Sequence, residues 1–395
     1  MADEGARACR RLGQPGRTPR PGDGRDRRRW RRVKELTGEQ RDLRDAVRGL
    51  LARHRGQAAD PSDGPGYDRA LWRRLCGEIG VAGLAIPQRY GGAGAGPVET
   101  HLVMEELGRT LTPSPMLGSA VLAAQALLAA GDTAACQRLL PAIADGTAIA
   151  ALAWTGEVGH WDPGQAAFDA TSGHMLTGEA HYVLDGDVAG VLLAAARTPD
   201  GAGLFEVDPR HPGVTRCAAT TMDTARRLAV VRLDQVPGQP IGDQAGCLAL
   251  ARARDLACIA LTAEQVGAAQ RALDLTVGYT KVRVQFGRPI GSFQALQHRM
   301  ADLHVLVESA RSLSYAAASA AAEDVADLGL RAAAAKAYCS EALTRVAGQM
   351  IQLHGAIGIT WEHEAHRYFK RAHGAGQLFG RPSEHIARVA AAVID

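Results

Sequence analysis

The feature that most constrains the fold is a change in the spacing of apolar residues along the chain. From Thr37 to about residue 148 they recur at helical spacing, and Thr37 with Gln40 forms a capping-box pattern where the first helix begins. After Gly246 three long helical faces follow with short connections, as in a helix bundle. The intervening segment instead has short runs of β character separated by turn dipeptides, at 175–184, 190–196, 203–207 and 228–233.

These segments predict an α+β architecture in which helices flank a β insert. We expect an N-terminal α-helical domain at 33–148, a small β barrel or sandwich at 149–242, and a C-terminal domain like a four-helix bundle at 243–395. Residues 1–32 are rich in Arg, Gly and Pro and cannot bury a core. We interpret them as a disordered tail, or as an artefact of a start codon that truly lies near Val33.

The overall charge of +3 is unevenly distributed. Residues 1–32 carry eleven Arg against four acidic residues, a net of +7, so residues 33–395 carry −4. The body of the chain is therefore mildly acidic and offers no basic face for nucleic acid. No apolar run reaches the roughly 18–20 residues that a membrane span needs, and a secretory or twin-arginine signal is not expected.

The cysteine pattern argues for a reducing compartment. The count is odd, the spacing is irregular, and no C-x-x-C pair occurs. Such a set favours free thiols over a disulfide framework or a zinc site, and hence a cytoplasmic location. The seven cysteines are Cys9, Cys76, Cys136, Cys217, Cys247, Cys258 and Cys339.

Two segments have a composition that an ordinary helix does not explain. In 283–294, Gly and Pro interrupt a long helix just after Arg283, and an Arg beside a turn with free backbone N–H groups suits a pyrophosphate. In 352–364, glycines allow the backbone to approach a ligand or a neighbouring chain closely. The alternative for each segment is an ordinary connection between helices.

Other kinds of site find little support. His363 and His366 are three apart on a predicted helix, but no third ligand has a matching spacing, so we expect no metal. The chain has no G-x-S-x-G and no Walker loop. The glycines of 91–96 lack the strand-then-helix context of a dinucleotide fingerprint.

From residue 37 onward the chain resembles the acyl-CoA dehydrogenase family. The resemblance rests mainly on R-x-x-F-G-x-x-I-x-x-x-Q at 283–294 and Q-x-x-G-x-x-G at 352–358. Further similar stretches are GLAIPQRYGG at 83–92, EELGR at 105–109, LTGEAHYVLDGDVAGVLLAAAR at 176–197 and AQRALD at 269–274. The resemblance implies an FAD-dependent oxidoreductase acting on CH–CH groups. In this chemistry a carboxylate removes the α-proton of an acyl-CoA thioester while a hydride passes from the β-carbon to the flavin.

The resemblance also implies partners and site residues. In this family FAD lies across a subunit interface, and an electron-transfer flavoprotein is the usual electron acceptor. The positions that match the holders of the pyrophosphate and adenosine end of a neighbouring subunit's FAD are Arg283, Phe286, Ile290, Phe293, Gln294, Gln352 and Gly355. Thr155 matches the first residue of the family's T-E-P-x-x-G-S-D flavin motif.

The chain does not match the family at the positions that contact the flavin ring and supply the catalytic base. Trp161 stands where the flavin motif has its small Ser, and 182–184 reads Tyr-Val-Leu in place of Trp-x-Ser/Thr. The two positions that can hold the family's catalytic Glu are Ala257 and Phe379, and neither side chain accepts a proton. We therefore assign no catalytic residue. A displaced base is the alternative, and the nearby carboxylates are Asp255, Glu264, Glu362 and Glu364.

Three functions fit this pattern. We interpret the chain as the base-less subunit of a heterotetrameric acyl-CoA dehydrogenase, which completes a partner's FAD site. The alternatives are a self-sufficient homotetramer with a displaced base, and a family relative that performs other flavin chemistry in secondary metabolism. The run G-x-T-W-E-H at 358–363 is similar to actinobacterial heteromeric dehydrogenases of steroid CoA thioesters, so the expected role lies in lipid and steroid catabolism.

Overall fold

The computed structural model describes residues 36–54, 66–199, 201–242 and 246–394. The predicted tail at 1–32 lies outside these residues. Helix α1 (Gly38–His54) begins with the predicted capping box, which is confirmed. The Thr37 N–H donates to Oε1 of Gln40 at 3.0 Å, and the Gln40 N–H donates to the Thr37 hydroxyl oxygen at 3.2 Å.

Four further helical segments follow between residues 66 and 148. Asp68 and Asp132 cap two of them by accepting backbone N–H groups of the first turn. Short 3₁₀ turns at Val81–Gly83 and Gln88–Tyr90 lie in the loop before the third helix. The helices are α2 (Arg69–Arg74, continued by the π-helical turn Leu75–Ile79), α3 (Pro97–Thr110), α4 (Ala124–Ala130, preceded by the π-helical Met116–Ala123) and α5 (Thr133–Ala144).

Seven strands follow, and five of them close into a ring. Around the ring β4 pairs with β2, β2 with β3, β3 with β7, β7 with β5, and β5 with β4. The remaining two strands are not part of this path: β1 pairs with β4, and β6 pairs with β7. The strands are β1 (Ala150–Ala153), β2 (Phe168–Ala170), β3 (Met175–Leu184), β4 (Val191–Thr198), β5 (Gly201–Val207), β6 (Val214–Ala218) and β7 (Leu228–Ile241).

The predicted middle β fold is confirmed, and of the two predicted forms it is the barrel. A separate apolar cluster, which includes Phe168, Leu176 and Val231, fills its interior. Strand β7 continues well beyond the predicted end at residue 233. Its prolines and glycine resemble a turn in sequence, but the second half of the strand pairs with β5 and so remains extended.

The C-terminal part is helical, as predicted, and α6 runs through its centre against α3, α7 and α8. The crossing of α3 and α6 is very close, because a Cβ on Gly108 or Gly267 would meet the backbone oxygen of Glu264 or Glu105. The helices are α6 (Gly246–Val282), α7 (Gln294–Ala322), α8 (Leu328–His354), α9 (Ala365–Gln377) and α10 (Pro382–Ile394). Among the described helices, none combines the length and apolarity needed to cross a membrane.

One local prediction is wrong. His363 and His366 were expected to lie three apart on one helix, but α9 begins only at Ala365. His363 lies in the turn before it and accepts the backbone N–H of Ala365 on Nδ1 at 3.1 Å. The spacing of the two histidines is compatible with a helix. The glycines of 355–358 instead belong to a 3₁₀ turn, Gly355–Ile359, and the α-helix begins only after it.

Candidate functional site

A short hairpin projects from the end of α6. Strand β8 (Val284–Gln285) pairs with β9 (Arg288–Pro289), and a 3₁₀ turn, Ile290–Ser292, leads into α7. The Ile290 N–H donates to the Arg283 carbonyl oxygen at 2.8 Å and closes the base of the hairpin. The Arg283 side chain is exposed at this base, without an ion pair to any described residue.

Phe286 at the tip of this hairpin combines exposure with an unfavourable backbone. Its φ is 54° and that of Gly287 is 77°, the left-handed region in which a Phe costs about 1–2 kcal/mol. Its side chain is 91% exposed. The ring of Phe293 lies 6.1 Å away edge-on and also stacks under the Arg288 guanidinium. An exposed aromatic ring on a strained turn is typical of a contact surface for another molecule.

The segment after α8 lies beside the base of the hairpin. Tyr279, one turn before Arg283, donates its hydroxyl to the His354 carbonyl oxygen at 3.3 Å. Gln352 and Gly355 are both exposed here, and Gly355 has φ 65° and ψ −145°, a conformation suited to glycine. The structure thus brings the seven predicted C-terminal site residues to one end of the helical part, where Gln294 is also exposed.

Thr155 lies elsewhere, at the end of β1. Its side chain is fully buried, and its hydroxyl donates to the His160 carbonyl oxygen at 2.6 Å. Its own carbonyl oxygen accepts the His181 N–H. The loop that follows turns the indole of Trp161 inward, where it is 7% exposed.

Trp161 packs against Phe379, so the two departures from the family pattern touch one another. Their ring centroids are 5.0 Å apart at 75°, and Trp161 meets Trp154 at 5.7 Å and 86°. Edge-to-face pairs at these distances stabilise by about 0.5–1.5 kcal/mol beyond their burial. We call Trp154, Trp161 and Phe379 the aromatic plug.

The second base position lies in the same core. Ala257 is fully buried on α6, and its neighbour Cys258 places its Sγ 3.9 Å from the Phe379 carbonyl oxygen. Both residues belong to the apolar cluster that contains the plug. The two positions that can hold a catalytic Glu are therefore close together in this fold, and both are filled by apolar side chains.

Charged side chains bind the backbone around the plug. The Arg254 guanidinium donates to the Trp161 carbonyl oxygen at 3.3 Å. The ammonium of Lys336, which is fully buried, donates to the carbonyl oxygens of Gly376 and Gly380 at 3.3 Å. Burial lowers the pKa of Lys336 to about 8. These bonds fix the plug loops on both sides.

Of the carboxylates considered as displaced bases, two are held in ion pairs. Asp255 accepts two hydrogen bonds from Arg388, at 2.8 and 3.1 Å. Burial raises the pKa of Asp255, but the bond from Arg388 and the charge of Arg254 outweigh it and hold the pKa below its usual value. A carboxylate with a lowered pKa is a poor general base.

Glu264 is bound in the same manner. It accepts from Arg226 and Arg371, and Arg371 also pairs with Asp223, so the network ties the barrel to α6 and α9. Burial raises the pKa of Glu264, but the two guanidinium charges lower it further than burial raises it. The other two candidates lie beyond the plug: Glu362 is exposed, and Glu364 lies 3.9 Å from Arg271.

Comparisons with known proteins agree on one family. Residues 37–147 match the family described as acyl-CoA dehydrogenase, N-terminal domain, and residues 246–394 match acyl-CoA dehydrogenase, C-terminal domain. Acyl-CoA dehydrogenase IpdE2 of Mycobacterium tuberculosis is 42% identical over 355 residues, which cover 89% of this chain and 96% of that protein. IpdE2 of Mycolicibacterium smegmatis is 40% identical over 364 residues, 91% of this chain and 100% of that protein.

Solved structures are similar over nearly the whole chain. A variant of the Tcur3481-Tcur3483 steroid ACAD has a TM-score of 0.81 and 34% identity, with 90% of this chain and 98% of that chain covered. The ChsE4-ChsE5 complex from Mycobacterium tuberculosis has a TM-score of 0.82 and 30% identity, with 91% and 98% covered. The chain therefore belongs to the acyl-CoA dehydrogenase family, FAD-dependent oxidoreductases that act on CH–CH groups.

Proposed function

We propose that this chain is the base-less subunit of a heterotetrameric acyl-CoA dehydrogenase, in which it completes the FAD site of a partner subunit. The observation that carries the proposal is the aromatic plug. Trp161 and Phe379 fill the interior where the family's flavin motif and catalytic Glu would lie. Of the residues for a neighbour's cofactor, five are exposed: Arg283, Phe286, Gln294, Gln352 and Gly355.

The two ends of FAD fit this chain differently. The flavin-ring end does not fit, because the plug is packed and the Thr155 hydroxyl is already bound to the His160 carbonyl oxygen. The pyrophosphate and adenosine end does fit, because Arg283, Gln352 and Gly355 are exposed beside the Phe286 hairpin. This division supports a chain that holds a neighbour's FAD and does not bind its own.

In the family the bound flavin accepts a hydride. The role of this chain would then be to bind and orient the FAD of its partner subunit. The Arg283 guanidinium would pair with the pyrophosphate, since such pairs are short and charge-assisted. Phe286 would cover the cofactor or the partner surface beside it. The partner subunit would supply the carboxylate that removes the substrate proton.

The proposal extends to substrate and acceptor. Similarity to the steroid ACAD supports a steroid-derived CoA thioester as the substrate of the complex. An electron-transfer flavoprotein is proposed as the electron acceptor, as is usual in the family. The expectation that the cysteines are all free is wrong for Cys247, which is disulfide-bonded. Cys76, Cys136, Cys258 and Cys339 are buried free thiols, and a cytoplasmic location is proposed from these four.

A self-sufficient homotetramer would need an unpaired base near Ala257. Asp255 and Glu264 are ion-paired, and both have lowered pKa values. The geometry therefore favours the partner-completing role over a displaced base.

The role of the hairpin is tested by replacing Arg283 in the co-expressed complex. The partner to use is a family member from the same genome that keeps a Glu at one of the two base positions. A hydrogen bond to a charged group contributes about 1.5–3 kcal/mol. Its loss is therefore expected to weaken FAD binding by about tenfold to a hundredfold. Arg283→Ala is compared with Arg210→Ala, a control at a side chain 89% exposed on the barrel. Equal FAD affinity in the two variants would remove Arg283 from the site.

A further inference from the structure

Three aromatic rings cluster where α8 ends and the cofactor-facing segment begins, and we call this cluster the stack. The His354 ring contacts the rings of Tyr279 and His363 at centroid distances of 4.4 Å, and the Tyr279 and His363 rings contact one another at 6.5 Å. The angles are 26° to Tyr279 and 44° to His363. The stack joins α6, the end of α8 and the turn before α9.

The hydrogen bonds fix where the protons lie. His354 Nδ1 is 2.7 Å from the Met350 carbonyl oxygen, which can only accept, so Nδ1 carries the proton. His354 is 3% exposed, and its Nε2 is buried without a partner among the described residues. Nδ1 of His363 accepts the Ala365 N–H, so a neutral His363 carries its proton on Nε2. A second proton on His354, at Nε2, would therefore be buried without an acceptor among the described residues.

The surroundings of the stack disfavour a charge on His354 on balance. Burial lowers the pKa of His354, the Met350 bond raises it, and the proximity of His363 lowers it again. Next to the stack, burial lowers the pKa of His366, as do the charges of Lys370 and Arg367. Across the described residues, no carboxylate hydrogen-bonds to either stacked imidazole, and Glu364 lies towards Arg271.

The stack also determines the path of the segment that follows it. Gln352 and Gly355 flank His354, and Gly355 turns the chain through a conformation suited to glycine. A Cβ on Gly358 would come within 3.1 Å of the His354 Cβ, so the 3₁₀ turn packs directly on this side chain. We expect a displacement of the His354 side chain to shift the 3₁₀ turn that packs on it.

We propose that Tyr279, His354 and His363 form a latch that positions Gln352 and Gly355 for the neighbour's FAD, and that the latch opens when the His354 imidazole takes up a proton. The three residues are positioning residues and do not take part in the chemistry. The link to FAD rests on the proposed function, whereas the latch itself is a property of this chain alone.

The direction of the pH effect follows from the shifted pKa. His354 has a pKa below its ordinary value of about 6.5, so the closed latch is fully stable above that pH. The closed latch loses stability as the pH falls below this value, because His354 binds a proton more readily in the opened segment than in the closed one. FAD retention should fall with it, by about tenfold per pH unit for one linked proton.

The first test measures hydrogen exchange of residues 352–364 in the chain alone, from pH 8 to pH 5.5, corrected for intrinsic rates. Wild type should lose protection as the pH falls. His354→Phe keeps a stacking ring without a titrating nitrogen and should make protection independent of pH. His354→Ala should lack protection throughout. Identical profiles for wild type and His354→Phe would overturn the latch, as would a flat wild-type profile.

The second test measures FAD retention by the co-expressed complex over the same pH range. His354→Phe should bind FAD within about threefold of wild type at pH 8 and lack the slope of about tenfold per unit that wild type shows below about pH 6.5. His373→Gln, at an exposed histidine on α9, should keep the wild-type slope. Exchange that depends on pH without a change in FAD retention would overturn the positioning role. A complex without FAD even at pH 8 would instead overturn the proposed function.

Discussion

At the scale of single residues, two departures from the family pattern have a joint effect on the interior. Trp161 and Phe379 are distant in sequence, and each by itself departs from the family pattern. In the fold they pack edge to face and remove the interior space that a flavin ring and a base would need. Both departures can be seen in the sequence. Their contact could not be predicted, because only the fold brings together two residues so far apart along the chain.

The plug should contribute strongly to stability. Truncating a buried Trp leaves a cavity, so Trp161→Ala is expected to lower the free energy of unfolding by about 3–5 kcal/mol. Trp361→Ala is the matched control, because that indole is 82% exposed, and it should change stability by about 0.5 kcal/mol. Urea unfolding followed by circular dichroism measures both. Similar losses in the two variants would show that Trp161 does not fill a packed core.

At the scale of elements, the Phe286 hairpin is the part most clearly shaped for another molecule. Gly and Pro in 283–294 predicted a break in a long helix, and the structure has such a break between α6 and α7. The left-handed backbone of Phe286 was not predictable, because a Phe is rarely found there. The start of α9 was predicted too early for a related reason. The 3₁₀ turn that the glycines of 355–358 form before this helix could not be predicted from the spacing of residues.

Phe286→Asn separates folding from assembly. Asn tolerates a left-handed backbone better than Phe, so the thermal midpoint of the isolated chain should stay unchanged or rise slightly. The complex with the partner should weaken by about 2 kcal/mol or more, roughly thirtyfold in Kd, if the ring is an interface anchor. Val393→Asn, at a residue 74% exposed near the end of α10, is the control. Unchanged partner affinity in Phe286→Asn would show that the ring is not a contact.

At the scale of the whole molecule, the described residues form the fold of the family, but they match only part of its cofactor and catalytic motifs. Helical, β and helical regions follow one another as the apolar spacing predicted, and two specific motifs indicated the family. The matched residues Arg283, Gln352 and Gly355 lie on the surface, whereas Trp161, Ala257 and Phe379, which depart from the family pattern, lie inside. The proposed partner could not be identified, because the sequence of one chain does not contain the residues of another.

FAD content tests the central claim most directly. The chain is purified alone and as a complex with a Glu-bearing family member, and bound flavin is measured by absorbance against protein concentration. The account predicts a colourless chain alone, and one FAD for every two chains in an active complex. A yellow homo-oligomer of this chain alone, with one FAD per chain and dehydrogenase activity, would contradict it.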